Sequence, residues 1–226
     1  MPGPRSFTLI ELLVVIAIIA LLLGMLVPGL SDARRQARET VCGSNLHSIG
    51  IAMHAYASVS NESIPRGNNL IWFNAFLPYL GRTQQVRDYR DVRIYRCPDY
   101  PVREQTVCYV DSSWSFRNRY DQTGFEINTP TSLQTFDQPG GTVYLADNEN
   151  GWWRQIIAGP NAVNIDRQDV WHPTHLPSSL AEDWTYGRRV ARERHRGGCN
   201  CLFLDGHAGW VRTDAMTVDM WRDHWR

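Results

Sequence analysis

An uncharged, strongly apolar run from Leu12 to Leu30 constrains this chain more than any other feature. As an α-helix its 19 residues would span about 28 Å, close to the roughly 30 Å thickness of the hydrocarbon core of a bilayer. A removable secretory signal usually has an apolar region of about 7–15 residues and a small-residue cleavage site. The segment Val27-Pro28-Gly29-Leu30 is a poor site of that kind. The run therefore predicts a membrane-spanning helix that stays on the protein.

Glu11 stands immediately before this run. A carboxylate at the mouth of a membrane span is costly unless it has a partner. A plain N-terminal anchor explains the hydrophobicity of the run but leaves Glu11 without an explanation.

The segment from Phe7 to Glu11, followed by Leu12 to Ala20, resembles the N-terminus of type IV pilins and type II secretion pseudopilins. The resemblance implies that a prepilin peptidase cuts between Ser6 and Phe7 on the cytoplasmic side and that the new Phe7 amine is N-methylated. The family usually has Gly before the cut, where this chain has Ser6.

The same resemblance implies roles for two residues of the helix. Glu11 would be the fifth residue of the mature chain, where pilins carry a glutamate that pairs with the N-terminus of a neighbouring subunit. Pro28 falls where pilins carry the proline of their helical stalk. The implied partners are the prepilin peptidase, other pilin or pseudopilin subunits and the inner membrane.

The helical pattern continues beyond the membrane. Apolar residues at spacings of four, three, four and three line up one face of a helix. They are Cys42, Leu46, Ile49, Met53 and Tyr56. We therefore predict a leader at 1–6, a membrane and assembly helix at 7–30, its amphipathic continuation at 31–58 and a head at 59–226. Three arginines just after the span favour the cytoplasm by the positive-inside rule, but the leader motif is more specific and places the head outside.

Within the head, the apolar stretch 70–80 predicts a short helix ended by Pro78 and Gly81. Residues 159–194 are rich in Pro, His and Arg and predict an ordered surface excursion. β-prone runs predict four strands. They are Val92–Arg96, Thr106–Val110, Thr142–Ala146 and Trp152–Ile157.

The segment 195–212 predicts a β-hairpin. Asp205-Gly206 lies between the β-prone runs Cys199–Leu204 and His207–Arg212, and Asp-Gly at such a position is a strong hairpin signal. His195, nine residues and then Asp205-Gly206 resemble the H-X9-DG domain found behind prepilin leaders in Planctomycetes and related bacteria. Other segments match that family in order: Cys42–Leu46, Ile49-Gly50, Trp72–Leu80, Arg96-Cys97-Pro98 and Ala146-Asp147.

His195 and Asp205 do not form a catalytic or metal pair in a regular hairpin, because about six strand residues separate them by roughly 20 Å. We read Asp205-Gly206 as a turn and His195 as a local hydrogen-bonding or interface residue. Five cysteines leave at least one thiol free. Cys97 with Cys108 is the first predicted disulfide, and Cys42 with Cys97 is the alternative.

Two groups of residues offer metal ligands. Asp147 and Glu149, in an Asx-rich loop ending in Gly151, have the oxygen ligands that Ca²⁺ prefers, although turn chemistry alone explains such loops well. His172 and His175 have a spacing that chelates Zn²⁺ or Cu²⁺ only if the loop folds suitably. Apart from possible Ca²⁺, no cofactor is expected.

The expected fold is α+β and pilin-like, with a long N-terminal helix packed on an antiparallel sheet. The formal net charge is 0, so nothing favours nucleic acid as a partner. No nucleophile–base pair or phosphate loop predicts an enzyme, and a metal-dependent hydrolase ranks well below two other hypotheses. The first is a pilin or pseudopilin subunit of a filament. The second is a membrane-tethered module that binds glycan or protein and does not polymerise; its aromatic residues, with nine Trp and nine Tyr, fit either hypothesis.

Overall fold

The long N-terminal helix is the first element of the fold. The computed structural model of the protein describes residues 8–81, 89–151, 156 and 168–223. Helix α1 comprises Leu9–Ala57 and passes through Pro28 without a break in the assignment. Pro28 has no N–H to donate within the helix, and the Ser31 hydroxyl donates to the Pro28 carbonyl at 2.8 Å. The chain divides into two compact units, Met1–Ala37 and Arg38–Arg226.

Within the second unit, one face of α1 is buried. The predicted stripe is confirmed, because its first four members are fully buried and Tyr56 packs on the core edge against Phe76, with ring centroids 5.6 Å apart. The buried residues of α1 are Cys42, Leu46, Ile49, Gly50, Ala52, Met53 and Ala57. A spacing of three or four residues along a helix accounts for this single buried face.

The described residues form short strands. In chain order they are β1 (Ser63–Ile64), β2 (Tyr109–Ser112), β3 (Trp114–Ser115), β4 (Phe125–Glu126), β5 (Thr131–Ser132), β6 (Val143–Asp147), β7 (Asp169–Val170), β8 (Gly198–Phe203) and β9 (Ala208–Arg212).

Five of these strands form the main sheet, in the order β7-β2-β6-β8-β9. The pairs β2–β6, β6–β8 and β8–β9 are antiparallel, as expected, and β7 pairs with β2 in parallel. The register shifts at a bulge between Val143 and Leu145. Every residue of β6 and β8 is buried, so these strands form the centre of the head. Two further antiparallel pairs are β1–β5 and β3–β4.

Short helical turns fill the space between strands. Helix α2, Trp72–Ala75, and the following 3-10 helix, Leu77–Leu80, confirm the predicted short helix, and Gly81 ends it in a left-handed conformation with φ 74°. The other 3-10 helices of the described residues are Tyr89–Asp91, Arg93–Tyr95, Leu133–Thr135, Pro139–Gly141, Pro173–His175, Thr213–Ala215 and Val218–Trp221.

The strand predictions had mixed outcomes. The hairpin and the strand at 142–146 are confirmed by β8–β9 and β6. The strand at 92–96 was wrong: Arg93–Tyr95 is a 3-10 helix, which aims the Tyr95 hydroxyl at the Phe73 carbonyl, 2.8 Å away. The strand at 106–110 begins later, at Tyr109. Of the strand at 152–157 only Ile156 lies within the described residues, and it bridges Val107 antiparallel.

The stretch predicted as a surface excursion contributes to the core. Its segment β7 lies at the edge of the main sheet, and both residues of β7 are buried. Arg189 is buried and donates to the Asp169 carbonyl at 2.8 Å, and this bond holds the segment around Arg189 beside β7. The prediction failed because a two-residue strand has no periodicity to detect.

Candidate functional site

The start of α1 is capped by its own side chains. Thr8 precedes the helix, and both its backbone N–H and its hydroxyl donate to Glu11 Oε2, at 2.9 and 2.8 Å. In return, the Glu11 N–H donates to Thr8 Oγ1 at 3.3 Å. This reciprocal arrangement of a Thr and a Glu three residues later is a capping box, which satisfies two of the unpaired N–H groups at a helix start. Glu11 therefore has a local partner in the structure.

The first unit presents an apolar helix surface. Its large apolar side chains from Leu9 to Leu30 are about half exposed or more, for example Ile10 at 73% and Leu22 at 61%. One helix of the described residues, α1, is long and apolar enough to cross a membrane, with a mean hydropathy of 3.1 in its most apolar window. Such a surface needs a bilayer or neighbouring apolar helices to cover it.

The second unit contains a buried cluster of four polar side chains. Cys42 comes from the buried face of α1, and Cys97 follows the 3-10 helix Arg93–Tyr95. Asp147 is the last residue of β6, and His195 lies in the turn that leads into β8. The exposed fractions of these side chains are at most 4%. We call this group the Cys-Asp-His cluster.

The ligand-type atoms of this cluster are close together. All four lie within 4.8 Å of one another. Cys42 Sγ is 3.2 Å from Asp147 Oδ1, Cys97 Sγ is 3.3 Å from His195 Nε2, and His195 Nε2 is 3.3 Å from Asp147 Oδ2. The helix, the loop and the sheet therefore meet at one polar point inside the head.

Surrounding groups hold the cluster in place. The Asn200 N–H of β8 donates to Asp147 Oδ2 at 2.7 Å, and the Asn200 side-chain amide donates to the Glu39 carbonyl on α1 at 3.1 Å. His195 Nδ1, the nitrogen that faces away from Asp147, lies 3.4 Å from Asp99 Oδ2. The His195 N–H and carbonyl pair with Gly198 in the turn before β8, which orients the ring.

Burial and proximity shift the acidity of the cluster. Burial raises the pKa of the Cys42 thiol well above its usual range, and nearby Cys97 and Asp147 add to the effect. Burial lowers the pKa of His195, but hydrogen bonding to Asp147 and Cys42 outweighs burial and raises it to about 10. A thiol and an imidazole occur together in some nucleophilic sites, but the four side chains of this cluster are buried, which is unfavourable for contact with a substrate.

The Asp205-Gly206 turn packs on the helix. Gly206 has φ 91°, a left-handed conformation that favours glycine. Its carbonyl oxygen lies 3.3 Å from His47 Nδ1, and a Cβ added to Gly50 on α1 would be 2.7 Å from the same oxygen. Asp205 Oδ1 lies 2.6 Å from His207 Nδ1 on the exposed side of the turn. The turn therefore packs directly against Gly50 of α1, where a side chain has no room.

The structure separates several residues that were considered together. His195 contacts Asp147 and not Asp205, as predicted, and its backbone makes local hydrogen bonds with Gly198. Its ring is a buried member of the cluster, which corrects its reading as an interface residue. The carboxylate of Glu149 pairs with Arg188 at 2.8 Å and does not belong to the cluster that contains Asp147, so the structure does not join them as a Ca²⁺ pair.

The predicted disulfides are absent from the structure. All five cysteines are free thiols, so neither Cys97 with Cys108 nor Cys42 with Cys97 is bonded. Cys97 Sγ lies beside His195 Nε2, as described above. Cys199 and Cys201 are two residues apart on β8 and lie on the same face, with sulfurs 3.9 Å apart.

His172 and His175 were considered as metal ligands, and the contacts of His175 bear on that prediction. His175 is fully buried, accepts the Trp171 N–H at Nδ1 and lies 3.0 Å from the Thr185 carbonyl at Nε2. Both of its ring nitrogens are therefore occupied, which argues against metal binding. Ser6 and Phe7 lie outside the described residues, so the predicted cleavage site has no structural description.

Sequence reasoning missed the Cys-Asp-His cluster, although a signal was present. Each of its members stands in a segment that was matched to the H-X9-DG family: Cys42, Cys97, Asp147 and His195. Four reactive residue types in separate matched segments were a reason to test whether they meet in space. The capping box was also readable, as Thr-x-x-Glu before an apolar run.

Two family models and one relative match parts of the chain. A family model described as "Prokaryotic N-terminal methylation motif" matches residues 1–27, and one described as "Protein of unknown function (DUF1559)" matches residues 31–83. The chain is similar to the type IV wide pilus major component PilA4 of Thermus thermophilus, with 51% identity over 47 residues. That match covers 21% of this chain and about a third of the relative, 36%. No solved structure matches the chain significantly.

These findings define the class of the protein. It is a pilin-like chain in which a prepilin-type methylation motif leads into a long apolar helix, and the part of α1 from Cys42 to Ala57 packs on the sheet of the second unit. The matches favour a structural protein of the pilin class over an enzyme.

Proposed function

We propose that this chain is a structural subunit, a pilin or pseudopilin, of a type IV pilus-like or type II secretion-like filament. A prepilin peptidase cuts between Ser6 and Phe7, and Phe7 is N-methylated. Residues 7–30 hold the precursor in the inner membrane with its head outside the cytoplasm. The helix later packs against other subunits in the filament, at the cell surface or in the periplasm.

The uncovered apolar surface of α1 carries this proposal. Sixteen large apolar side chains between Leu9 and Leu30 are exposed in the isolated chain. Fully burying one such side chain contributes about 1.5–3 kcal/mol, so leaving all of them in water is very unfavourable. A bilayer covers this surface before assembly, and the apolar helices of neighbouring subunits cover it in a filament. The methylation motif at residues 1–27 supports the same sequence of events.

Glu11 has two roles in the proposal. Within its own chain it closes the capping box with Thr8. Between chains its negative charge neutralises the Phe7 ammonium of an adjacent subunit, and because both groups are then removed from water, this pair sets the axial register of the subunits. The first role needs a hydrogen-bond acceptor, and the second needs a charge.

Two substitutions separate these roles. Glu11→Gln keeps an acceptor for the capping box, since Gln also serves in that motif, but removes the charge. Glu11→Ala removes both. We expect both variants to keep a folded head and to reduce sheared filament yield at least tenfold in cells that carry the native assembly machinery. Filament yield is measured by immunoblotting of the sheared fraction and by electron microscopy.

A conservative change serves as the control for these variants. Thr8→Ser keeps the cap and the charge and should assemble normally. Wild-type filament yield from Glu11→Gln, with a defect only in Glu11→Ala, would show that capping alone matters and would contradict charge pairing.

A second function is favoured by exposed aromatic side chains. Trp184 and Trp210 of the head are 52% and 43% exposed, which suits contact with a glycan or another protein. In this alternative, the chain is a membrane-tethered binding module that does not polymerise. It would need neither the cut after Ser6 nor the charge of Glu11, so the Glu11→Gln variant distinguishes the two functions.

A further inference from the structure

We propose that the Cys-Asp-His cluster binds one Zn²⁺ ion, with Cys42, Cys97, Asp147 and His195 as its four ligands. The site would be closed and structural, and it would fasten α1 to the sheet. This inference does not depend on filament assembly, because it concerns only the second unit of the chain.

The donor set suits this metal. Zn²⁺ binds Cys sulfur, His nitrogen and Asp oxygen, and its structural sites have four protein ligands in a tetrahedron. The cluster offers two sulfurs, one nitrogen and one carboxylate, all at most 4% exposed. Ca²⁺ and Mg²⁺ prefer six or more oxygen ligands, which this cluster does not supply. Four buried protein ligands are the arrangement of a structural site rather than a catalytic one.

The distances agree with a tetrahedral site. With bonds of about 2.0–2.3 Å to Zn²⁺, neighbouring ligand atoms of a tetrahedron lie about 3.3–3.8 Å apart. Cys97 Sγ and His195 Nε2 are 3.3 Å apart. Asp147 lies 3.2 Å from Cys42 Sγ through Oδ1 and 3.3 Å from His195 Nε2 through Oδ2, and one ligand atom from each of the four residues lies within 4.8 Å of the other three. The four side chains therefore converge on one point, and shifts of about 1 Å bring their ligand atoms to tetrahedral separations.

The surroundings of His195 provide independent support. A metal-bound histidine usually directs its other ring N–H at a carboxylate or carbonyl. Here Nε2 faces Cys97 and Asp147, whereas Nδ1, which makes no hydrogen bond, lies 3.4 Å from Asp99 Oδ2. With Nε2 on the metal, Nδ1 carries the proton and faces this acceptor. Asp147 is oriented in turn by the Asn200 N–H.

A metal accounts for the cluster better than a disulfide does. A bond between Cys42 and Cys97 would use the two sulfurs and leave the buried imidazole and carboxylate as they are. Zn²⁺ uses all four groups, displaces the two thiol protons to solvent and offsets the negative charges of two thiolates and one carboxylate. The four ligands also come from distant parts of the chain, so the ion would hold the helix, the loop and the sheet together.

The test measures metal content in the full-length, detergent-solubilised chain. The chain is purified without chelator from zinc-supplemented cells and analysed by inductively coupled plasma mass spectrometry. We expect about one Zn²⁺ per chain in the wild type. Cys97→Ala and His195→Ala should fall to less than a fifth of that content. Cys201→Ala, which removes a fully buried cysteine outside the cluster, should keep the full equivalent.

Reconstitution with Co²⁺ decides the case even when a variant does not fold. In the wild-type chain, Co²⁺ should give the visible absorption of a tetrahedral ion and a sulfur-to-cobalt charge-transfer band, and one equivalent of Zn²⁺ should abolish both. Removing Zn²⁺ with a chelator should lower the melting temperature of the wild type and of Cys201→Ala. A folded wild type that takes up no Zn²⁺ or Co²⁺, or whose intact mass lacks two hydrogens from a Cys42–Cys97 disulfide, would overturn the proposal.

Discussion

Gly50 lies where the helix meets the Asp205-Gly206 turn, and the structure leaves no room there for a side chain. A Cβ at Gly50 would lie 2.7 Å from the Gly206 carbonyl oxygen and 2.8 Å from Leu202 Cδ1. Leu202 can adjust at its tip, but the Gly206 backbone is held by its N–H bond to the Phe203 carbonyl at 3.0 Å. Gly50→Ala therefore forces the helix and the hairpin apart.

Two opposing effects set the magnitude of this substitution. Ala is favoured over Gly within a helix by about 1 kcal/mol. Overpacking a well-filled core by one methyl group costs about 1–3 kcal/mol, and a contact with fixed backbone belongs at the upper end. We expect Gly50→Ala to lower the free energy of unfolding by about 1–2 kcal/mol.

Gly43 offers a matched control in the same helix. A Cβ there would meet nothing within 4 Å, so only the helix preference acts. Gly43→Ala should raise the free energy of unfolding by up to about 1 kcal/mol. The two variants carry the same chemical change, and the structure predicts opposite signs.

Urea unfolding of the detergent-solubilised chains, followed by tryptophan fluorescence, measures both effects. The predicted difference between the two variants is about 2–3 kcal/mol, well above the error of linear extrapolation. If Gly50→Ala is as stable as Gly43→Ala, the helix and the turn do not approach each other as described, and the reasoning fails.

Two further predictions concern buried ionisable groups. Burial lowers the pKa of His175 to about 2, so the unfolded chain alone takes up this proton below its ordinary pKa of about 6.5. The free energy of unfolding should therefore fall as the pH drops, by about 2 kcal/mol from this residue between pH 8 and pH 5. When it is measured by urea unfolding at several pH values, His175→Gln should show a weaker dependence on pH. An unchanged dependence on pH would rule out His175 as the source. Arg66 is fully buried and donates from Nε to the Ser112 carbonyl at 2.8 Å and from a terminal nitrogen to the Trp114 carbonyl. Lys cannot reproduce this fork, so Arg66→Lys should lose about 2–3 kcal/mol on unfolding in urea, and a loss below 0.5 kcal/mol would contradict the role of the fork.

Local patterns in the sequence predicted the elements that frame the head. The stripe beginning at Cys42 predicted which face of α1 is buried, because helical periodicity reports burial directly. Asp205-Gly206 predicted the β8–β9 hairpin, because a tight turn is specified by its own residues. The short helix ending at Gly81 was likewise predicted from its own residues, an apolar stretch followed by a glycine.

Local patterns did not predict which residues far apart in the sequence come into contact. The strand order that brings Asp147 beside Cys42 and His195 depends on which strands pair, and no local signal specifies that pairing. The stretch 92–96 has β-prone residues, but tertiary contacts of Tyr95 override this propensity and turn it into a 3-10 helix. The two residues of β7 carry too little pattern to predict a parallel edge strand.

The most direct test of the proposed function is the N-terminus of the protein recovered from sheared surface filaments and from the membrane. Intact mass and N-terminal sequencing measure it. The account predicts a chain that begins at N-methyl-Phe7, with residues 1–6 removed, in both fractions. A chain that still begins at Met1 and occurs only in the membrane fraction would contradict processing and assembly, and the tethered binding module would then be the better account.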